Sequence, residues 1–506
     1  MGTVRLKATD GTDVEFVDKM IGSGGMKDVY FSPDRSYVVA FFRDKQDANA
    51  KDRLENITKK YRDGIFSQIG GEYWKNLYCW PTKIVEHNGR LGLVAPTYSK
   101  CFFFEHGSTQ GDSLCLKGKE KEGKWFASAW HQNANLDPKE RGDWLSYFRV
   151  CILVSRAVKR LHAAGLAHSD LSYKNVLIDP AGGHANIIDI DGLVVPGKYP
   201  PDVVGTPDFI APEVMSTLKL DKRDPKRKLP CRQTDQHALA VLVYMYLLYR
   251  HPLRGRKVHD CDDETRDEEL AMGEKALFIE NSKDPSNSYD LNWLKKNNPA
   301  SRYPHLLPWQ DLKNLPYTVL GPYLKELFDK AFIDGLHNPS IRPLAGEWET
   351  ALVKTVDLMQ PCQGKGCNQK WFVFDNTSKP VCPFCKTPFK GLLPILNLYS
   401  SRGKGKYMPD NHRLMVYNNQ SLYLWHVDRN IFPNEKLTDA QRKRVGYFAF
   451  HNGRWCFVNQ TLTGMKDLTA KQDVKIGTMV VLEEGKQLLL SPEDGGRLVQ
   501  VQMVQS

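Results

Sequence analysis

The sequence predicts an α+β chain of several domains: a two-lobed mixed domain, a small metal-clasped ribbon, and a closing all-β sandwich. Three observations carry this. A glycine-rich β-hairpin near the start is followed downstream by apolar helical stretches, among them "ALAVLVYMYLLY" from Ala238 to Tyr249. Four cysteines gather between Cys362 and Cys385. Beyond Gly391 the chain turns to short alternating strands separated by Asn-Asn, Asn-Gly and Glu-Gly turns.

The 506 residues suggest about two to four domains. A content of 41% hydrophobic and 25% charged residues suits a soluble globular chain. The apolar run at Ala238 is too short to cross a bilayer, which takes ~20 residues, and reads as a buried helix. The first residues, "MGTVRLKATDGTDVEF", contain no apolar core of a signal peptide, so neither secretion nor a membrane partner is expected. Of 11 cysteines, seven are scattered, which favours a reducing, cytoplasmic setting over a disulfide scaffold. The net charge of +11 is partly gathered in "KLDKRDPKRKLPCR" (Lys219 to Arg232), with seven basic and two acidic residues. A solvated loop is the simpler reading of that run, and a nucleic-acid partner is not expected.

The hairpin reads "IGSGGMKDVYFSPDRSYVVAFFRDK" from Ile21 to Lys45. Gly22, Gly24 and Val29 fit a Gly-x-Gly-x-x-Gly-x-Val loop, with Lys27 in the place of the third glycine. The next strand, Val39, Ala40, Phe41, Phe42, follows a Val-Ala-x-Lys pattern with Phe42 where the lysine belongs. In the middle of the chain "HSDLSYKN" supplies His168, Asp170 and, five residues after the aspartate, Asn175. That spacing lets one carboxylate orient a substrate hydroxyl while the amide oxygen turns back to a divalent cation. A β pair and "NIIDIDGL" follow, offering Asp189 or Asp191; Asp189 is chosen because it directly follows the two isoleucines. "GTPDFIAPEV" carries Ala211-Pro212-Glu213 with Thr206 ahead of it, and Arg342 stands far downstream. In this order, over about 320 residues, the pieces resemble the protein-kinase family.

The resemblance implies Mg²⁺ (or Mn²⁺) and ATP as cofactors, Asp170 as the base, and Asn175 and Asp189 as metal ligands. It places Ile21, Gly22, Ser23, Gly24, Gly25, Val29, Ala40 and the hinge residue Pro96 around the nucleotide. It implies that Glu213 pairs with Arg342 and that Thr206, of a Ser/Thr-type loop, braces Asp170. A lysine in the glycine loop with none on the next strand resembles the with-no-lysine kinases, which makes Lys27 the phosphate clamp. Neighbouring strands lie about 4.8 Å apart, so a long side chain can reach across. Arg43 alternates to the other face and, with Lys45, is a weaker candidate. The glutamate that holds the lysine is expected to be Glu55 in the helix-forming "DANAKDRLENITKKYRD", with Glu72 as alternative.

Ser169 replaces the arginine that grips a phosphorylated loop in many kinases, and "GLVVPGKYPPDVV" holds Tyr199 but no serine or threonine. Together these argue against control by loop phosphorylation. Ser172 stands where Ser/Thr kinases carry a lysine, which keeps open a nucleotide-binding pseudokinase scaffold as the alternative. The polar stretch between Lys100 and Gly142 is expected to form a mobile flap or docking element.

"CQGKGCNQKWFVFDNTSKPVCPFC" spaces Cys362, Cys367, Cys382 and Cys385 as C-x4-C and C-x2-C, with 14 residues between the pairs. Four thiolates suit a closed, structural Zn²⁺ site. The strands of the last part resemble a forkhead-associated domain, whose phosphothreonine-reading residues no motif locates here. The expected division is a kinase domain over 10–359 (first lobe to about 98, second about 140–359), a zinc ribbon over 360–390 and a sandwich over 391–506. The whole resembles bacterial kinases of tellurite-resistance-linked modules. This implies protein substrates, a PP2C-type phosphatase and a von Willebrand A-type protein as partners.

Overall fold

The computed structural model describes residues 2–505 except 24–25, 68–69, 196, 202–204, 222, 298–309, 375–379 and 404. The chain divides into two compact units, one of Met1–Gly142, Ser146–Tyr317 and Glu326–Glu349, the other of Asp143–Leu145, Thr318–Lys325 and Thr350–Ser506.

The first unit opens with a hairpin of β1 (Thr3–Lys7) and β2 (Asp13–Val17). Next come β3 (Met20–Ser23), β4 (Lys27–Phe31), β5 (Tyr37–Phe42), helix α1 (Ala48–Asn56), β6 (Lys83–His87) and β7 (Arg90–Pro96). The strands form one antiparallel sheet in the order β3-β4-β5-β7-β6. Alternation along β5 separates its two phenylalanines. Phe41 joins Val14, Phe16 and Val85 on the side of the first hairpin. Phe42 joins Leu54 of α1 with Ile84 and Leu93 on the other side. Helix α1 starts where the Asp47 carboxylate accepts the Ala50 N–H at 2.7 Å, a side-chain N-cap.

Farther along, α2 (Trp144–Ala163) buries Tyr147, Cys151, Val154, Val158 and Leu161, a stripe with helical spacing. The short pair β8 (Val176–Asp179) and β9 (His184–Ile187) follows. The apolar run forms α3 (Arg232–Leu248), buried from Thr234 to Leu248. Glu213 and Arg342 form a bidentate pair at 2.8 and 2.7 Å. The stretch from Lys100 to Gly142 departs from the expected flap. Phe102, Phe104, Leu116, Phe126 and Leu136 are buried along it. Lys121 within it is buried and bonded to Glu140 (2.9 Å) and Asp179 (2.8 Å). Lys121 and Glu140 pair inward and the aromatics are spaced through the polar text, so the composition concealed a packed segment.

In the second unit β10 (Met359–Pro361) pairs with β11 (Trp371–Val373). There follow β12 (Leu392–Ser401), β13 (Tyr407–Met415), β14 (Ser421–Leu422), β15 (Gly446–His451), β16 (Arg454–Asn459), β17 (Lys466–Asp467) and β18 (Gln472–Asp473). The chain closes with β19 (Met479–Val481), β20 (Gln487–Leu489) and β21 (Arg497–Gln505). They form a six-stranded sheet, β13-β12-β21-β20-β17-β18, and a four-stranded sheet, β14-β15-β16-β19. Leu398, Leu414 and Val499 of the first share a core with Phe448, Phe457 and Val480 of the second. Asn452 and Gly453 turn β15 into β16 with φ of 48° and 75°, the two positive values that a tight two-residue hairpin turn requires. Among the described residues no helix is long and apolar enough to cross a membrane.

A buried carboxylate, Asp357, accepts from Nε2 of His412 (2.6 Å) and of His426 (3.1 Å). Burial alone would raise its pKa; the pull of His426 and the two hydrogen bonds outweigh it and hold the group below the ordinary carboxylate range. A folded pKa below the unfolded one stabilises the fold above about pH 4 and is lost as the pH falls through the folded value. Urea unfolding between pH 6 and pH 3 is therefore expected to show a loss of stability below about pH 4 that Asp357→Asn flattens.

Candidate active site

The hairpin registers Lys27 directly opposite Phe42. Opposed residues of an antiparallel pair lie on one face, so the lysine rises from the face on which Phe42 sits. Its ammonium lies 5.3 Å from the Phe42 ring centroid. From there Lys27 Nζ donates to both oxygens of Asp191, at 2.7 and 2.6 Å, and to Asp189 Oδ1 at 3.2 Å. Burial would lower the lysine's pKa, but the charges of Asp191 and then Asp189 outweigh it and raise it above the ordinary lysine range. The other cations face elsewhere. Asp28, registered with Phe41, takes Arg43 Nε at 2.9 Å and Arg90 Nη2 at 2.7 Å, and Lys45 is exposed. Among the described residues neither glutamate expected to hold the lysine bonds it. Glu72 pairs with Lys75, and Glu55, on α1, has no ion pair to Lys27.

Gly22, Val29 and Ala40 stand in one row across β3, β4 and β5 by register. Ile21 is exposed on β3 beside that row. Ser23 ends β3, and Gly24 and Gly25 lie outside the described residues. Pro96 ends β7, and its carbonyl accepts the Cys79 thiol at 3.4 Å. Burial, then the negative charge of Asp191, pushes Cys79 up to about 12, so it stays a neutral thiol.

The loop from β8 backwards is held from below. Asp235, near the start of α3, accepts the N–H of His168 (2.7 Å) and of Ser169 (3.1 Å), and lies 3.0 Å from His162 Nε2. Ser169 is left-handed, with φ 68°, a conformation that needs such support in a residue with a Cβ. His168 Nε2 donates to the Ile188 carbonyl at 2.9 Å and ties this loop to the strand end before Asp189. The Asp170 carboxylate is fixed on both oxygens. Oδ1 accepts the Thr206 N–H (2.7 Å) and hydroxyl (2.9 Å), and Oδ2 accepts Asn175 Nδ2 at 2.9 Å. Gly205 has φ 118°, a conformation that residues with a Cβ rarely adopt, and it sets the turn that brings Thr206 to Asp170. Ser172 is fully buried, 3.2 Å from the Thr206 hydroxyl.

Asn175 spends its amide nitrogen on Asp170, donating to the backbone carbonyl as well at 2.8 Å, which leaves its side-chain oxygen for another partner. The Asn175 carbonyl accepts the Ile188 N–H at 3.0 Å, so Asn175 and Asp189 sit at adjoining strand ends. Asp189 is left-handed (φ 59°) and 49% exposed, and among the described residues its Oδ2 has no protein partner. An amide oxygen and a carboxylate oxygen of this kind are hard-cation ligands. In the other unit the Sγ atoms of Cys362, Cys367, Cys382 and Cys385 all lie within 4.8 Å of one another, with 3.4 Å between Cys362 and Cys385 and 3.9 Å between Cys367 and Cys382. A tetrahedral zinc with ~2.3 Å bonds needs sulfur–sulfur edges of about 3.8 Å, so the donor set fits.

Two features went unread in the sequence. Asp191 was weighed only as a rival to Asp189, although two carboxylates flanking one apolar residue signal a shared cation. Tyr199 was noted only as a loop hydroxyl; it donates to Asp52 and accepts Asn56 Nδ2 at 2.8 Å, both on α1.

The profile of the protein kinase domain matches residues 138–317. Serine/threonine-protein kinase PSK2 of Saccharomyces cerevisiae is 30% identical over 152 residues, covering 28% of this chain and 13% of the relative. Serine/threonine-protein kinase PknD of Chlamydia trachomatis is 22% identical over 275 residues, 47% of this chain and 25% of the relative. Serine/threonine-protein kinase H1 of Homo sapiens is 34% identical over 127 residues, 21% of this chain and 28% of the relative. The chain thus spans less than a third of the length of each of these relatives. The profile match covers the segment that holds Asp170, Asn175, Asp189 and Thr206, and the relatives are named as serine/threonine-protein kinases.

Because Asp235 is the common acceptor of this loop, Asp235→Ala leaves two buried N–H groups unpaired and is expected to lower stability by about 2–4 kcal/mol in urea unfolding of the full chain.

Proposed function

We propose that the chain is a Mg·ATP-dependent protein serine/threonine kinase whose phosphate-clamping lysine is Lys27. The observation that carries this is the Lys27–Asp189 contact at 3.2 Å, which brings the relocated cation to the aspartate of the presumed metal pair. In this reading Asp170, held by Thr206 and Asn175, orients the acceptor hydroxyl and takes its proton. Asn175 and Asp189 hold the magnesium, which when bound offsets the negative charge of the phosphates. Gly22, Val29 and Ala40 wall the nucleotide. The four cysteines hold a structural zinc, and the final sandwich is a forkhead-associated-like docking module. The partners read from resemblance, a PP2C-type phosphatase and a von Willebrand A-type protein, belong to this proposal, as does a reducing, cytoplasmic compartment.

A second reading, a nucleotide-binding scaffold without transfer, is favoured by one observation. Ser172 is buried and spent on Thr206, so the position that carries a lysine in Ser/Thr kinases supplies no cation to the transferred phosphate.

Phosphotransfer to a generic acceptor separates the two. Wild type is expected to transfer phosphate, and Lys27→Ala and Asp189→Ala to lose about 100-fold or more. Since Lys27 and Phe42 are registered, Lys27→Ala combined with Phe42→Lys is expected to regain part of the loss. Full activity in Lys27→Ala would remove the clamp assignment, and a wild type that binds Mg·ATP without transfer favours the scaffold. For the cysteines, one equivalent of zinc is expected by metal analysis of the purified chain. Chelation should lower the melting temperature, and Cys382→Ser should reproduce the drop.

A further inference from the structure

We infer that Asp191, rather than a glutamate of α1, is the positioning residue that orients Lys27 toward the nucleotide. The inference rests on the kinase reading above and concerns how its clamp is held. Lys27 Nζ meets both Asp191 oxygens at 2.6 and 2.7 Å but only one Asp189 oxygen, at 3.2 Å. The two carboxylates also differ in setting: Asp191 is 15% exposed and Asp189 49%. An ion pair gains most where water is excluded, so Asp191 is the stronger, more fixed partner. Asp189 remains accessible to a cation. Ile190, buried between them, anchors the turn that aims both carboxylates.

The arrangement follows from moving the lysine. From β4 the ammonium arrives over the loop after β9, where Asp191 stands two residues past Asp189. That place suits an acid only because its side chain has an ammonium to meet; glycine there would leave the ammonium with the metal aspartate alone. An ammonium carries three protons, so Lys27 can keep Asp191 while offering the rest to phosphate oxygens.

A double-mutant cycle on the full-length chain tests this, read both in kcat/KM for ATP and in Mg·ATP affinity by nucleotide displacement. Asp191→Asn keeps the shape and removes the charge. It is expected to lower kcat/KM and nucleotide affinity by about tenfold or more, and to add less than about twofold in the Lys27→Ala background. Asp191→Glu should recover part of the loss. The Mg²⁺ concentration for half-maximal rate should stay unchanged in Asp191→Asn and rise in Asp189→Asn. Losses that add fully to those of Lys27→Ala overturn the inference. So does a magnesium shift in Asp191→Asn equal to that of Asp189→Asn, which would make Asp191 a metal ligand. A larger loss in Glu55→Gln than in Asp191→Asn overturns it too. A wild type that binds Mg·ATP with the expected coupling but transfers nothing sinks the transferase reading and leaves Asp191 in place. A wild type that binds no nucleotide sinks both.

Discussion

One half-buried ammonium group organises the candidate site. Lys27 Nζ leaves the sheet at the position registered with Phe42 and ends between two carboxylates of a different element. Strand pairing dictates this geometry: the pleat fixes which face a residue occupies, and the register fixes its neighbour. A lysine removed from one strand can be replaced on the adjoining strand only at an opposed or diagonal place on the same face. Phe42 then has a purpose of its own. It fills the space of the missing stem, packs against Leu54 of α1, and gives the ammonium an aromatic wall.

What the ammonium meets depends in turn on a second charge, this one buried. Asp235 holds His168 and Ser169 by their backbone, and His168 holds Ile188. Ile188 precedes Asp189, so the chain of bonds runs from the core of α3 to the aspartates that receive Lys27. A left-handed serine and a left-handed aspartate along this path are local strain that the hydrogen bonds offset. Asp170 is fixed by the same loop together with Thr206, which glycine at 205 lets come near.

Much of this was legible in the sequence because it is local. The spacing of Asp170 and Asn175 and the Asn-Gly hairpin each lie within a few residues, and the cysteine quartet lies within 24. The Glu213–Arg342 pair and the Thr206 brace were readable only through resemblance, since their partners are distant in the chain. The register of Lys27 with Phe42 could be anticipated from a short hairpin, where turn length limits the slip. The partner of Lys27 could not, because it depends on how a helix and a distant loop are placed in space. Glu55 follows helix-forming logic and is a sound local candidate, yet the ammonium meets carboxylates more than 160 residues away. The packing of the stretch from Lys100 to Gly142, expected as a flap or docking element, went unread for a related reason. Polar composition reports how often charges occur, not whether they face one another, and Lys121 with Glu140 and Asp179 face inward.

The loop that carries Tyr199 shows the same economy of contacts applied to conformation. Many kinases order this loop by docking a phosphate on an arginine beside the catalytic aspartate; here Ser169 takes that place, and its hydroxyl lies 3.4 Å from the Gly192 carbonyl. The hydroxyl of Tyr199 is already bonded to Asp52 and Asn56 of α1, and Lys198 lies 3.5 Å from the same Asp52 carboxylate. A phosphate on Tyr199 would set about two negative charges against Asp52 and break the bond that the free hydroxyl makes. Tyr199 is therefore tied to α1 by contacts of the unmodified chain. Tyr199 at α1 and Lys27 at Asp191 both tie the sheet lobe to the loop after β9 without any added group.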